Sequence, residues 1–157
     1  MPLLPSLRPA RNADASAVKR LIFGILADYN LTPAPGSTDA DLDDLAAHYT
    51  NRGGSFAVLE MPAGEIIGTV GIYRVSSDVC ELRKMYLSPH QRGQGLGKLL
   101  FEHGLAEARR LGFRRITLET ASVLKEAIAL YIRYGFRPFT PDHLAPRCDQ
   151  AYCLDLV

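Results

Sequence analysis

The sequence is poor in the features that would assign a protein at once. It has three cysteines in 157 residues, Cys80, Cys148 and Cys153. Their odd number and lack of metal-type spacing argue for reduced thiols, and hence for a cytoplasmic protein. It has almost no net charge: 18 Lys and Arg stand against 17 Asp and Glu. That balance suggests neither the basic surface a nucleic acid would require nor a polybasic membrane patch. No apolar run approaches the ~20 residues of a membrane span. The apolar opening Met1–Leu7 is too short and too interrupted by proline for a signal-peptide core. There is no internal repeat and no low-complexity segment. What remains, with 47% hydrophobic and 22% charged residues, is the composition of an ordinary globular protein. The length fits one domain over residues 1–157, burying roughly two-thirds of the unfolded surface.

Periodicity orders that domain. Leu7 to Ala10 reads as a short strand, and Asp14 as the N-cap of a helix with Val18, Leu21, Ile22, Ile25 and Leu26 on one stripe. Pro33, Pro35 and Gly36 force a loop. Residues 39–49 predict a second helix on Leu42, Leu45, Ala46 and Tyr49, stopped by Gly53 and Gly54. Strand-like runs at 55–60, 65–75 and 79–87 are separated by turns short enough for antiparallel hairpins. A helix from about Leu96 to Leu111, a strand at 115–119, a helix at about 123–134 and closing strands at 136–139 and 151–156 complete the chain. Strand 79–87, helix and strand 115–119 predict a crossover with parallel strands. The fold class is α/β, a mixed sheet with a largely antiparallel N-terminal part and helices on both faces.

The chemistry concentrates between Lys84 and Phe101. The short apolar strand Met85, Tyr86, Leu87 leaves through Ser88-Pro89 into a loop with glycine at 93, 95 and 97, and a helix opens there. Glycines at alternate positions let backbone N–H groups converge unhindered, and a helix start adds about half a positive charge. Such a strand–loop–helix start is an anion cradle, with Arg92 and Lys98 at its rim. A Walker A loop is excluded by the spacing Gly93 to Gly97 and by Leu99 where a magnesium-binding hydroxyl is required. A dinucleotide fingerprint fits Gly93 and Gly95 but has Lys98 at its third position, although Glu119 imitates the ribose-binding acid. The third pattern is R-x-x-G-x-G on Arg92, Gly95 and Gly97.

That pattern, the Met85-Tyr-Leu-Ser-Pro89 strand exit and the helix end Leu130-Tyr-Ile-Arg-Tyr-Gly-Phe136 together resemble the GNAT superfamily of acetyl-coenzyme-A-dependent N-acetyltransferases. The resemblance runs over nearly the whole chain and is densest from Glu81 to Pro138. It implies that Arg92, Gly93, Gln94, Gly95, Leu96, Gly97 and Lys98 hold the coenzyme pyrophosphate. It implies that the backbone of Met85, Tyr86 and Leu87 pairs with the pantetheine arm. Tyr131, four residues before Gly135, stands where the family's thiolate-protonating tyrosine stands. Glu81, eleven residues before Arg92, stands where some members carry a general base. Many members have an asparagine where this chain has Glu126, so asparagine contacts to the pantetheine do not carry over.

Each site residue has a plainer reading. Tyr131 shares a stripe with Leu124, Ala127 and Ile128 and fits a core tyrosine. Glu81 shares a strand face with Arg83 and fits a salt bridge. Asp39, Asp41, Asp43 and Asp44 fit the acidic first turn of a helix, with attraction of a cationic acceptor as the other reading. The function expected is acetyl transfer from acetyl-coenzyme A to a primary amine by direct attack, since no cysteine is near the cradle in sequence. No metal is expected, and a homodimer is compatible with the chain. A non-catalytic coenzyme-A or nucleotide sensor is the alternative, and a dinucleotide oxidoreductase a further one. Residues 28–38 and 139–150, with Tyr29 and Tyr73, are expected to shape the acceptor site.

Overall fold

A computed structural model describes residues 4–157; Met1–Leu3 of the apolar opening lie outside it. Seven strands form one sheet in the order β1-β2-β3-β4-β5-β7-β6. The first four, β1 (Ser6–Pro9), β2 (Ser55–Glu60), β3 (Ile66–Arg74) and β4 (Val79–Leu87), are antiparallel neighbours. β5 (Arg115–Thr120) runs parallel to β4, and β7 (Gln150–Asp155) and the two-residue β6 (Arg137–Pro138) close the sheet antiparallel. Only β4 and β5 are parallel among the described residues. A doubly wound dinucleotide fold needs parallel halves on both sides of its switch point, so that reading falls.

Helices cover both faces. α1 (Ala15–Asp28), α2 (Leu45–His48) and the residues flanking α2 pack Val18, Ile22, Leu26, Leu42, Leu45 and Tyr49 onto one face. α3 (Leu96–Arg110) and α4 (Lys125–Arg133) place Leu100, Phe101, Leu105 and Tyr131 on the other. Helix α1 starts as its stripe predicts, but Asp14 does not cap it. Its carboxylate accepts from the Arg11 N–H at 2.7 Å and from both Arg8 terminal nitrogens at 2.9 Å. This binds β1 to the helix start.

The helix predicted over 39–49 is the main departure. The chain instead makes a short 3-10 turn at Ala40–Asp43, extends at Asp44 (φ −147°) and restarts as α2. Asp44 accepts from the Ala47 N–H at 3.0 Å and caps the second piece. The apolar residues keep their places, with Leu42, Leu45 and Tyr49 buried. The acids change theirs: Asp39 and Asp41, read as a solvated first turn, are 1% and 5% exposed. Their carboxylates turn inward to buried cations, and a continuous helix would point them elsewhere.

Candidate active site

The site begins with a mismatch of strand lengths. β4 and β5 pair only at Val79–Glu81 against Arg115–Thr117, while β4 runs on to Leu87 and β5 to Thr120. Beyond Glu81 the two strands part, and a cavity of about 580 Å³ fills the gap. Leu82 to Leu87 line one wall and Leu118 to Ala121 the other. An opened parallel pair leaves main-chain groups of β4 without ladder partners, ready for an extended ligand to take the place of a strand.

At one end stands the glycine loop. Gly93 and Gly95 have φ of +80° and +79°, the left-handed region that favours glycine. Gly97 is different. It lies in the first turn of α3, and an added Cβ there would meet nothing within 4 Å. Glycine inside a helix costs ~1 kcal/mol against alanine, and the protein's own packing asks for none of it. Among the described residues no acceptor caps the N–H groups of Leu96, Gly97 and Lys98. An uncapped helix start beside an unfilled Cβ position fits a phosphate resting on the backbone. Gly97, Lys98 and Arg92 line the cavity; Gly93, Gln94 and Gly95 are exposed outside it, and Leu96 turns to the core. The Arg92 guanidinium donates to the Tyr29 hydroxyl at 2.9 Å, linking the loop to the end of α1.

Tyr131 sits between the ends. Its ring packs against Phe101, Phe136 and Tyr152, with centroids 5.4, 5.9 and 6.5 Å away. It lines the cavity, and its hydroxyl makes no hydrogen bond among the described residues. Burial pushes the phenol well above its ordinary value, with Tyr86 and Cys148 adding to the effect. It therefore holds its proton at neutral pH.

Two carboxylates line the other end. Glu81 is ion-paired to Arg83, whose guanidinium lies 3.7 Å over the Tyr73 ring. Burial raises the Glu81 pKa against the opposing pull of Arg83. Glu119, noted in the sequence only as a ribose-acid mimic, also lines the cavity and accepts from the Ala145 N–H at 2.7 Å. It has no cationic partner among the described residues. Its placement could have been read from the strand ending at Thr120, but the parting of β4 and β5 could not.

Other expectations land unevenly. Tyr29, Arg147 and Cys148 line the cavity, whereas His143 is exposed outside it and Tyr73 packs edge-to-face with Tyr49 at 5.9 Å. Cys148 is far from the glycine loop in sequence, yet it lines the same cavity. Burial pushes its thiol up to about 11, which keeps it protonated and poorly nucleophilic. The sequence also gives no sign of Lys84. Its φ is +55°, and two residues of β4, Lys84 and Met85, stand opposite Val70 alone. This bulge shifts the alternation, so Lys84 follows Arg83 onto the α1 side. There Lys84 Nζ meets Thr38 O at 3.1 Å and one oxygen each of Asp39 and Asp41 at 3.3 Å.

Comparison with known proteins agrees with this geometry. Residues 22–136 match the model of the acetyltransferase (GNAT) family. The chain is 43% identical over 140 residues to the Escherichia coli (strain K12) uncharacterized N-acetyltransferase YjgM, covering 86% of this chain and 83% of that one. A GNAT-family acetyltransferase from Staphylococcus aureus Mu50 superposes with a TM-score of 0.89 at 20% identity, over 98% and 99% of the two chains. A GNAT superfamily phosphinothricin acetyltransferase from Sinorhizobium meliloti, solved in complex with acetyl-coenzyme A, superposes with a TM-score of 0.74 at 20% identity, over 98% and 89%. These two structures speak for the fold, and nothing among the relatives supports a non-catalytic sensor. A parted β4–β5 cleft with an uncapped helix start at one end and carboxylates at the other, in a chain so matched, belongs to the GNAT family of acetyl-coenzyme-A-dependent N-acetyltransferases.

Proposed function

We propose that residues 1–157 form one N-acetyltransferase domain that moves acetyl from acetyl-coenzyme A to a primary amine by direct attack. The coenzyme pyrophosphate rests on the N–H groups of 96–98 with Arg92 and Lys98 beside it. The pantetheine arm lies along Met85 to Leu87. The acceptor enters from the end held by Glu81 and Glu119. The observation that carries this reading is the single cavity joining an uncapped helix start, a free tyrosine hydroxyl and two carboxylates.

An amine with a pKa near lysine's ~10.4 arrives protonated and must lose a proton before attack. Glu81, kept basic by burial, accepts that proton directly or through water. The nitrogen then bonds to the acetyl carbonyl carbon, and main-chain N–H groups of the parted strand face the oxyanion that develops. The C–S bond breaks, Tyr131 gives its proton to the departing thiolate, and the second proton of the attacking nitrogen passes through water to the tyrosinate. The products are the amide and free coenzyme A. Burial, which pushes the Cys148 thiol up to about 11, disfavours it as an acetyl carrier. A second reading gives the base role to Glu119, on the observation that Glu81 is held by Arg83 and Glu119 by no cation.

An amine library incubated with acetyl-coenzyme A, with products identified by mass, tests the function. An N-acetylated amine that forms together with stoichiometric coenzyme A is the expected result. Coenzyme A release without an acetylated amine, or acetyl-cysteine at Cys148 on the route, would contradict direct transfer.

A further inference from the structure

The mechanism leaves one buried group of charges unused. Asp39 accepts from both terminal nitrogens of Arg147, at 2.7 and 2.8 Å, across 108 residues of sequence. It also accepts from the Ala34 N–H at 2.8 Å. Lys84 lies 3.3 Å from Asp39 and 3.3 Å from Asp41, and Asp41 accepts a hydrogen bond from the Tyr49 hydroxyl. The side chain of Asp39 is fully buried and that of Arg147 nearly so. Burial opposes the charge on Asp39, but the bonds from Arg147 and Ala34 outweigh it and hold its pKa below the ordinary range. The clasp joins residues 34–41 to residues 145–148 behind the acceptor end, where Lys84 and Arg147 line the cavity wall.

Charge accounting gives the clasp its meaning. The acceptor end holds three cations, Arg83, Lys84 and Arg147, and each is engaged by a carboxylate of the protein. Four carboxylates stand there, Glu81 and Glu119 on the cavity and Asp39 and Asp41 behind its wall, and among the described residues Glu119 is the one no cation engages. A carboxylate carried by an acceptor would therefore meet a like charge and no unengaged guanidinium among these groups; the cavity's other guanidiniums, Arg92 and Arg133, lie exposed at its surface. The geometry points to Asp39 as a positioning residue that occupies Arg147 and Lys84 and so selects acceptors: cationic primary amines without a carboxylate beside the reacting nitrogen. This rests on the acetyl-transfer reading above and adds the class of acceptor to it.

The test is a ratio. Matched acceptors that differ only by a carboxylate next to the amine, an arylalkylamine with its amino acid and an aliphatic amine with its amino acid, are compared by kcat/KM. The parent enzyme favours the carboxylate-free member. Asp39→Asn frees Arg147 to take a carboxylate, and the preference should fall by about tenfold or more. Coenzyme A affinity should not move. Arg147→Met, which makes the same end more negative, should raise the preference, and it decides the matter should Asp39→Asn fail to fold. A merely structural clasp would lower melting temperature and leave the ratio alone. A parent that prefers the amino acids, or an Arg147→Met ratio that stays flat or falls, overturns the clasp proposal. A parent that binds coenzyme A but acetylates no amine in the panel overturns the acetyl-transfer reading, and the clasp proposal with it.

Discussion

The two ends of the cavity are built from different materials. The coenzyme end is main chain: a glycine loop, an uncapped helix start and the free edge of β4. Its side chains, Arg92 and Lys98, are exposed additions. The acceptor end is side chain: Glu81, Lys84, Glu119 and Arg147 come from two strands and a loop, and ion-pair partners fix three of them. A main-chain site is written in a few consecutive residues and binds what every member of a reaction class shares. A side-chain site depends on contacts between distant residues, and it is where one enzyme can differ from its relatives.

Substitutions should divide along that line. The largest effect is expected at the acceptor end. Glu81→Gln keeps the shape and removes the proton acceptor, so kcat/KM should fall ~10²–10⁴-fold while coenzyme A affinity holds. Because burial raises the Glu81 pKa, the parent's activity should climb with pH through a limb above the ordinary carboxylate range, as the base loses its proton. The limb should vanish in the variant, and the deficit should shrink at high pH, where the amine is already neutral. If Glu119→Gln shows that loss and Glu81→Gln does not, the base is Glu119.

A smaller effect, confined to the coenzyme end, is expected of Gly97→Leu. The helical φ and the open space at its Cβ let the fold accept the side chain. Phosphate would then be held off the N–H groups, and loss of charge-assisted bonds worth ~1.5–3 kcal/mol should weaken coenzyme A roughly 10–100-fold by calorimetry. Parental affinity in a folded variant would remove the pyrophosphate from this loop. Tyr131→Phe, between the ends, should cost least. Coenzyme thiolate is a tolerable leaving group, so kcat should drop ~10-fold with affinity unchanged, and the melting temperature should barely move because no hydrogen bond is lost. A fall in melting temperature with kcat intact would make Tyr131 a core residue alone.

The same division explains what could be read in the sequence. The crossover, the glycine loop and the Tyr131 stripe are local patterns, and the strands and helices carrying them fall within a few residues of where periodicity places them. The second helix failed because Asp39 and Asp41 look like first-turn acids when their partners are unseen. Those partners, Lys84 and Arg147, are distant in sequence from the segment they hold, with Arg147 108 residues from Asp39. The bulge at Lys84 was equally hidden, since lysine rarely takes a positive φ and nothing local demands one. Cys148, far from the glycine loop in sequence, reaches the cavity wall only through the fold.

Amide hydrogen exchange with and without saturating coenzyme A tests the division most directly. The account predicts slowed exchange at Leu96, Gly97 and Lys98 and along residues 82–87, with residues 34–41 and 145–148 unchanged. Protection in the two clasp segments with residues 96–98 left as they were would contradict it.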